Sequence, residues 1–420
     1  MMNKTISVIG LGYIGLPAAA MFADKGVQVI GVDVNQHAVN IINQGKIHIV
    51  EPGLGEMVQK AVANGLLKAV TKPETADAFL IAVPTPFKGD HQPDLSYIEA
   101  VSKALAPVLK KGDTVILEST SPVGTTEQMV EWLAAARPDL KFPYENRDEE
   151  VDIYVAYCPE RVLPGQVIRE LVENDRIIGG ITDECSNKAI EVYSIFVKGD
   201  LVKTNARTAE MSKLTENAFR DVNIAFANEL SLIADRLNIN VWELIALANR
   251  HPRVNILQPG CGVGGHCIAV DPWFIVDKSP DLANIVRTAR EVNDNKPNWV
   301  IEQVKQAVEK VANFANKKTN EVNIVCYGLA FKPDIDDLRE SPALAIAEKL
   351  MDLYPNQVKA VEPNYNSEAN HSEKEIALLD YQDSLSKVDV AVLLVNHKEF
   401  VENKPHFGSN VVVVDTKGIW

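Results

Sequence analysis

Apolar positions in the first 120 residues fall into short runs of largely β-branched side chains, separated by stretches with helical spacing. Thr5 to Gly10, Val27 to Val32, Ala78 to Val83 and Thr114 to Glu118 read as strands, and Gly15 to Lys25 and Gln36 to Gln44 as helices. Strands apolar on both faces and alternating with helices predict a parallel sheet covered on both sides. Asp152 to Cys158 and Arg176 to Gly180 continue the strand pattern, so a first domain is predicted over residues 1–205. From Thr208 to Leu237 the period changes. Met211, Leu214, Ala218, Val222, Ala225, Phe226, Ile233 and Leu237 recur at three- and four-residue steps without a proline, which predicts one long amphipathic helix.

A second helix is predicted at Val241 to Asn249, and residues 250–275 are rich in proline and glycine. Leu282 to Ala312 is again helical in character, with Pro297 marking a break or a helix start. Residues 206–315 carry no strand pattern and read as a helical connector with a dimerisation surface. The α/β pattern returns over residues 316–420, with strands at Val322 to Tyr327, Val358 to Glu362, Val388 to Val395 and Val411 to Asp415, and a helix at Pro342 to Leu353. Glu145 to Asp152 and Asn366 to Lys374 read as charged, solvated loops. The predicted fold is α/β: two doubly wound parallel-sheet domains of Rossmann type, joined by a long central helix and helical connector. The cleft between two such lobes is the default ligand site.

Composition narrows the function more than the fold. The 420 residues are 46% hydrophobic and 24% charged, which excludes disordered and collagen-like classes. A net charge of −15 disfavours nucleic acid as a partner, although a local basic pocket for a small anion stays open. Five cysteines, at 158, 185, 261, 267 and 326, form no CxxC pair and no even set, which argues against a disulfide framework and for a reducing cytoplasmic setting. Thr5 to Ala23 imitates a signal peptide or membrane span, but three glycines and Pro17 interrupt it, so neither export nor a membrane is expected.

Gly10-Leu11-Gly12-Tyr13-Ile14-Gly15 lies between a predicted strand and a predicted helix, the context in which GxGxxG binds a dinucleotide. The first glycine makes the turn, the second admits a pyrophosphate, and the third lets helix and strand pack, while the helix N-terminus faces the anion. Asp33 ends the second strand, 18 residues after Gly15, where a carboxylate accepts the ribose hydroxyls and repels a 2′-phosphate. NAD is therefore expected over NADP. Thr85, the Ser119-Thr120 pair and the Thr125-Thr126 pair follow later strand ends, where hydroxyls face the cofactor or simply make turns.

Cys267 lies in a loop with four glycines between 260 and 265, placed for covalent chemistry rather than packed on a strand. Cys158 and Cys326 read as buried spectators. A metal site from Cys261, His266 and Cys267 lacks standard spacing and a fourth ligand, and none is expected. Lys213, Asn217 and Arg220 share one face of the long helix, either a solvated face or, if the helix lines a cleft, one able to stabilise an alkoxide or oxyanion.

These segments, together with Glu118-Ser119-Thr120-Ser121-Pro122-Val123-Gly124, Cys158-Pro159-Glu160-Arg161, Lys213-Leu214-Thr215-Glu216-Asn217, Gly264-Gly265-His266-Cys267 and Gly328-Leu329-Ala330-Phe331-Lys332-Pro333, resemble in order the UDP-glucose/GDP-mannose dehydrogenase family over essentially the whole chain. The resemblance implies a four-electron oxidation of a sugar C6 alcohol to the carboxylate with two NAD. It implies that Cys267 attacks the intermediate aldehyde and carries a thioester, that Lys213 and Asn217 stabilise oxyanions and position water, and that Asp271 and Glu160 orient groups. Tyr13 and Ile14 come with the NAD fingerprint, and Thr120, Thr126 and Arg339 with the cofactor. Substrate contacts carry over to Arg161, Val162, Lys213, Asn217, Arg220, Gly264, Lys332, Pro333 and, more weakly, Lys417. His251 and Arg253 match a loop that reaches the neighbouring subunit's site, which implies a homodimer. The single Gly328 fits a UDP-binding lobe better than a second NAD site.

The glucose-oxidising branch has a second glutamate where this chain has Pro164, so a base role for that glutamate does not transfer. Residues 160–165, 251–255 and 262–274 most resemble the branch of the family that acts on 2-acetamido sugars, and this resemblance implies UDP-N-acetyl-D-mannosamine as the substrate, oxidised for surface polysaccharide of the enterobacterial common antigen kind. UDP-N-acetylglucosamine, UDP-glucose and GDP-mannose are the alternatives within the same mechanism. A cysteine-dependent acyl hydrolase and a non-catalytic NAD sensor are the alternatives of another class.

Overall fold

The computed structural model describes residues 4–89, 91–144, 150–163, 165–265, 267–365 and 376–420. Pro164, His266, the tract Asn366 to Lys374 and most of Glu145 to Asp152 lie outside the described residues. The chain divides into two compact units, the first ending at Glu216 and the second beginning at Asn217.

The first unit runs β1 (Thr5–Ile9), α1 (Gly15–Asp24), β2 (Gln28–Val32), α2 (Gln36–Asn43), α3 (Leu54–Ala63), β3 (Leu67–Val70) and β4 (Ala78–Ile81). A small hairpin, β5 (Phe87–Lys88) and β6 (Gln92–Pro93), leads to α4 (Ser96–Leu105), β7 (Thr114–Leu117), α5 (Thr125–Ala136), β8 (Tyr154–Tyr157), α6 (Val167–Glu173), β9 (Arg176–Gly180), α7 (Asp183–Tyr193), β10 (Leu201–Asn205) and the start of α8 (Ala206–Arg236). The main sheet has the order β10-β9-β8-β7-β4-β1-β2-β3. Its neighbours are parallel except β8 and β9, so the wholly parallel sheet predicted for this half is corrected to a mixed one. Between β8 and β9 the described residues form the seven-residue α6, and the strand returns antiparallel; the eleven-residue α7 then supports a parallel crossover to β10. Strand order reverses between β1 and β4, and the crevice beyond their carboxyl ends is where such sheets bind ligands.

The second unit contains the rest of α8, then α9 (Val241–Ala248), α10 (Asp271–Lys278), α11 (Asn284–Ala315), β11 (Ile324–Tyr327), α12 (Pro342–Leu353), β12 (Val358–Val361), α13 (Tyr381–Leu385), β13 (Val390–Leu393), α14 (Lys398–Glu402) and β14 (Val412–Asp415). Its sheet, β12-β11-β13-β14, is parallel throughout. Val300, Val304, Val308 and Val311 of α11 pack with Ile346 and Leu350 of α12 over one face. Tyr327, Tyr381, Phe400 and Trp420 cluster on the other.

Two helical expectations are corrected here. Pro297 neither breaks nor starts a helix but lies inside the 32-residue α11. An interior proline costs about 3 kcal/mol in isolation, which the apolar burial of the following turns offsets. The stripe predicted to bury α8 is split: Leu214, Ala218 and Ala225 are buried, whereas Met211, Phe226, Ile233 and Leu237 are exposed, as is Phe219. The buried positions of α8 include Glu210, Asn217, Asp221, Asn228 and Ser231, all polar. From Asp221 onwards their partners explain the inversion, because α11 presents Arg290, Asn293 and Lys296, themselves buried. Among the described residues no helix is long and apolar enough to cross a membrane.

Candidate active site

The β1–α1 turn is built as its glycines require. Gly10 has φ +90°, and a Cβ there would stand 2.3 Å from the Ala82 carbonyl oxygen; one on Gly15 would stand 1.8 Å from the Gly10 oxygen. At Gly12, by contrast, a Cβ would meet nothing within 4 Å, which leaves backbone open to an incoming group. Ile14 gives α1 no side-chain cap, so the first-turn amides are available to an anion. Asp33 follows β2, with Oδ2 accepting from Leu11 N–H at 2.9 Å and Oδ1 from Asn35 N–H at 2.8 Å. This cradle, open at Gly12 and closed by a carboxylate at the ribose position, fits NAD.

At the ends of β4 and β7 the loops are tied together. Thr85 Oγ1 donates to the Thr120 carbonyl at 2.6 Å, and Ser119 Oγ bridges the Val83 N–H and carbonyl. Thr126, expected beside the cofactor, lies in the first turn of α5. It is fully buried, and both its N–H and its hydroxyl donate to Glu210, whose carboxylate also takes the Gly124 N–H. Glu210 thereby supplies negative charge to the N-terminus of α5, a role no sequence pattern announced.

Glu160 is fixed from two sides: Oε1 accepts from Arg161 N–H at 2.7 Å and Oε2 from Arg176 at 2.9 Å. Arg176 is itself buried, with its guanidinium 4.7 Å from the Tyr193 ring centroid and 3.8 Å from Cys158 Sγ. Tyr193 donates to Glu118 Oε1 at 2.6 Å, while Glu118 Oε2 is buried without a hydrogen-bond partner. Burial, opposed by Arg176, pushes the Glu118 carboxyl up to about 7. Because the folded chain holds this proton more tightly than the unfolded chain, the stability it contributes is fully present below about pH 4.5 and is lost as pH rises towards 7. Glu118→Gln is therefore expected to gain on wild type as pH rises, by about 2–3 kcal/mol at pH 8. Thermal unfolding of both proteins at pH 5 and pH 8 checks this; a difference independent of pH counts against it.

Arg161 forms an ion pair with Glu216 at 2.8 Å, so any substrate phosphate competes with that carboxylate. Val162 packs against the apolar core beside the loop. Glu51, buried, accepts from Gly165 N–H and Val167 N–H and anchors the segment that follows, a long-range tie that no local pattern signals.

The second unit assembles the thiol loop. Cys267 is exposed, the other four cysteines are buried, and none is in a disulfide. Burial pushes the thiols of Cys158 and Cys326 up to about 12, and that of Cys261 also upward. The Cys267 carbonyl accepts from Val270 N–H and Asp271 N–H, which fixes the turn entering α10. Asp271, buried in the first turn of α10, accepts from Asn217 Nδ2 at 2.5 Å. Asn217 and Asp271, 54 positions apart in the chain, are thus one hydrogen-bonded unit.

Behind it a polar ladder links α8 to α11. Arg290 donates to Asp221 at 2.6 Å, Asn293 donates to Asp221 and accepts from Asn228, and Lys296 donates to Ser231. Asn228 Oδ1 also accepts from Gly260 N–H at 2.9 Å, which anchors the start of the thiol loop. Lys296 lies 3.6 Å from the Trp299 ring centroid, and burial brings its amine down to about 7. The loop glycines prove to be required by protein rather than by ligand. A Cβ on Gly264 would meet the Glu340 oxygen at 2.3 Å, and one on Gly265 would meet the Phe331 ring at 3.0 Å. The motifs around 264 and 331 are therefore one packed structure.

Lys332 is exposed and Pro333 half-buried beside it. Arg339 is held by Asp337 through Nε at 2.9 Å and Nη2 at 2.7 Å. Lys417 reaches the same loop, its Nζ 2.9 Å from where a Gly260 Cβ would stand. Arg220, His251 and Arg253 are exposed, with His251 Nδ1 accepting from Arg253 N–H. On α8, Lys213 is half-buried one turn before Asn217.

Three family models match the chain in order: the UDP-glucose/GDP-mannose dehydrogenase family NAD binding domain over residues 4–197, central domain over 207–295 and UDP binding domain over 325–420. A UDP-N-acetyl-D-mannosamine dehydrogenase of Yersinia pestis is 62% identical over 417 residues, 99% of each chain. An NDP-N-acetyl-D-galactosaminuronic acid dehydrogenase of Ralstonia nicotianae is 59% identical over 417 residues, 99% of this chain and 96% of that one. Among solved structures, the UDP-D-ManNAc dehydrogenase of Pyrococcus horikoshii superposes with a TM-score of 0.86 at 38% identity, covering 99% of this chain and 96% of that one.

Proposed function

The chain belongs to the UDP-glucose/GDP-mannose dehydrogenase family and is an NAD-dependent nucleotide-sugar dehydrogenase, and within that family we propose that it oxidises UDP-N-acetyl-D-mannosamine at C6 to UDP-N-acetyl-D-mannosaminuronate. The observation that carries the chemistry is the buried Asn217–Asp271 hydrogen bond, made four residues from the exposed Cys267. NAD, when bound, accepts one hydride at each of two oxidations.

The chain's own residues do the rest. Loss of a proton and a hydride from the C6 alcohol leaves an aldehyde, and the Cys267 thiolate adds to its carbonyl carbon while Lys213 returns the proton to the carbonyl oxygen, forming a thiohemiacetal. Loss of a second hydride with the hydroxyl proton converts this to a Cys267 thioester. Water then attacks the acyl carbon, the C–S bond breaks, and carboxylate and thiol are released. Lys213 takes the alcohol proton, Asn217 donates to the oxyanion, and Asp271 holds the Asn217 amide in the donating orientation. Glu160, held by Arg176, orients groups at the site. The nucleotide is met by Arg161, Val162, Arg220, Gly264, Lys332, Pro333 and Lys417, and NAD by the Gly10–Gly15 turn, Asp33, Thr85, Thr120 and Arg339.

The exposed apolar row Phe219, Phe226 and Ile233 on α8, continued by Leu237 just past its end, supports a homodimer, in which His251 and Arg253 reach the neighbouring site; sedimentation should return twice the chain mass. The product suits a cytoplasmic supply of uronic acid for surface polysaccharide. Two NADH per UDP-N-acetylmannosamine is the expected yield. UDP-N-acetylgalactosamine belongs in the same assay because of the Ralstonia relative, alongside UDP-N-acetylglucosamine, UDP-glucose and GDP-mannose. Preference for any of these overturns the sugar assignment, and NADH from none overturns the reaction.

A further inference from the structure

His397 belongs to none of the motifs above, yet it is buried at the entrance to α14 and joined to the segment that carries Lys332. Its Nδ1 accepts the Asp334 N–H at 3.0 Å, and its Nε2 lies 3.2 Å from the Glu362 carboxylate. An imidazole that accepts at Nδ1 carries a proton on Nε2, from which it donates to Glu362. Glu362 in turn accepts from Leu329 N–H at 2.6 Å, Ala330 N–H at 3.1 Å and Asn364 N–H at 3.1 Å. The histidine–carboxylate pair thus ties both ends of the stretch 329–334. In its middle, Phe331 backs Gly264 and Gly265 of the thiol loop, and Lys332 is exposed. Asp334 sits at φ +61°, a conformation a non-glycine residue keeps only when held; besides the His397 tether, its Oδ1 accepts from Lys398 N–H at 2.8 Å.

We propose that His397 is a positioning residue for the sugar nucleotide, holding the backbone of residues 329–334 so that Lys332 meets the UDP moiety. This rests on the reading of Lys332 as a nucleotide contact, and the test separates the two. In the full-length enzyme, His397→Gln keeps a donor for Glu362 but removes the acceptor for Asp334 N–H, whereas His397→Asn restores an acceptor near the Nδ1 position. UDP binding by calorimetry and KM for both substrates are then compared with Lys332→Ala. The Gln variant is expected to weaken UDP and raise KM for the sugar nucleotide about tenfold, with KM for NAD and kcat within twofold and the Asn variant recovering most of the loss. Weakened UDP in Lys332→Ala with unchanged UDP in His397→Gln overturns the positioning role. So does a parallel rise in both KM values without recovery by Asn. Unchanged UDP in Lys332→Ala overturns the underlying contact instead, and the proposal falls with it. Independently of folding in the variants, 15N-histidine NMR of the wild-type chain should show His397 protonated on Nε2; a proton on Nδ1 also overturns the proposal.

Discussion

Cys267→Ser is expected to lower turnover by at least about a thousandfold while leaving NAD binding within twofold, a barrier increase of roughly 4 kcal/mol. A serine hydroxyl is a far weaker nucleophile at neutral pH than a thiol, of which a few per cent is already thiolate, so formation of the covalent adduct suffers first. An ester in place of a thioester also hydrolyses more slowly, so the second half-reaction suffers again. Turnover near wild type refutes the thioester route. The same chain offers an internal control in its other cysteines. Cys158, Cys185, Cys261 and Cys326 are buried, and three of these thiols are displaced towards the protonated form, so brief treatment of the native protein with iodoacetamide should label Cys267 first and abolish activity in step with that single label. Activity surviving stoichiometric modification of Cys267 counts equally against it.

Much of this site could be read from residue order because its chemistry is local. The Gly10–Gly15 turn, the carboxylate ending β2 and the glycine-flanked thiol each occupy a short window whose spacing reports a backbone geometry. What could not be read is pairing at a distance. Glu51 anchoring Gly165, Glu210 serving the α5 N-terminus and Glu362 joined to His397 are single residues 35 to 116 positions from their partners, and isolated glutamates are ordinarily solvated. The helix α8 shows the same limit differently. Its apolar period was legible, but periodicity cannot say which face is inside when the facing helix offers Arg290, Asn293 and Lys296. Only those partners turn Asp221, Asn228 and Ser231 inward and leave Phe219 and Phe226 outside. Glycines such as those near Cys267 suit an approaching ligand and close protein packing equally, because both make the same demand on a backbone. Here Phe331, Glu340 and Pro342 make that demand.

Asp33→Ala is expected to weaken NAD about a hundredfold while changing UDP affinity less than twofold. The carboxylate is already aligned by Leu11 and Asn35 N–H groups, and each oxygen keeps a lone pair for a ribose hydroxyl. Two charge-assisted hydrogen bonds at about 1.5 kcal/mol each amount to roughly 3 kcal/mol, or about two orders of magnitude. The second unit supplies the comparison that isolates this role. Gly328, at φ +86°, follows β11 as Gly10, at φ +90°, follows β1, and Leu329 donates to Glu362 beyond β12 as Leu11 donates to Asp33 beyond β2. The turn is the same, but Glu362 is buried and its oxygens are engaged by Leu329, Ala330, Asn364 and His397, whereas Asp33 is half-buried. A carboxylate in that position can serve a ribose only while its outer lone pairs face solvent. Glu362→Gln is therefore expected to leave NAD affinity unchanged where Asp33→Ala does not, measured by titration of NAD into each variant. Equal losses of NAD and UDP in the Asp33 variant would show that its carboxylate supports the fold of the unit rather than the cofactor.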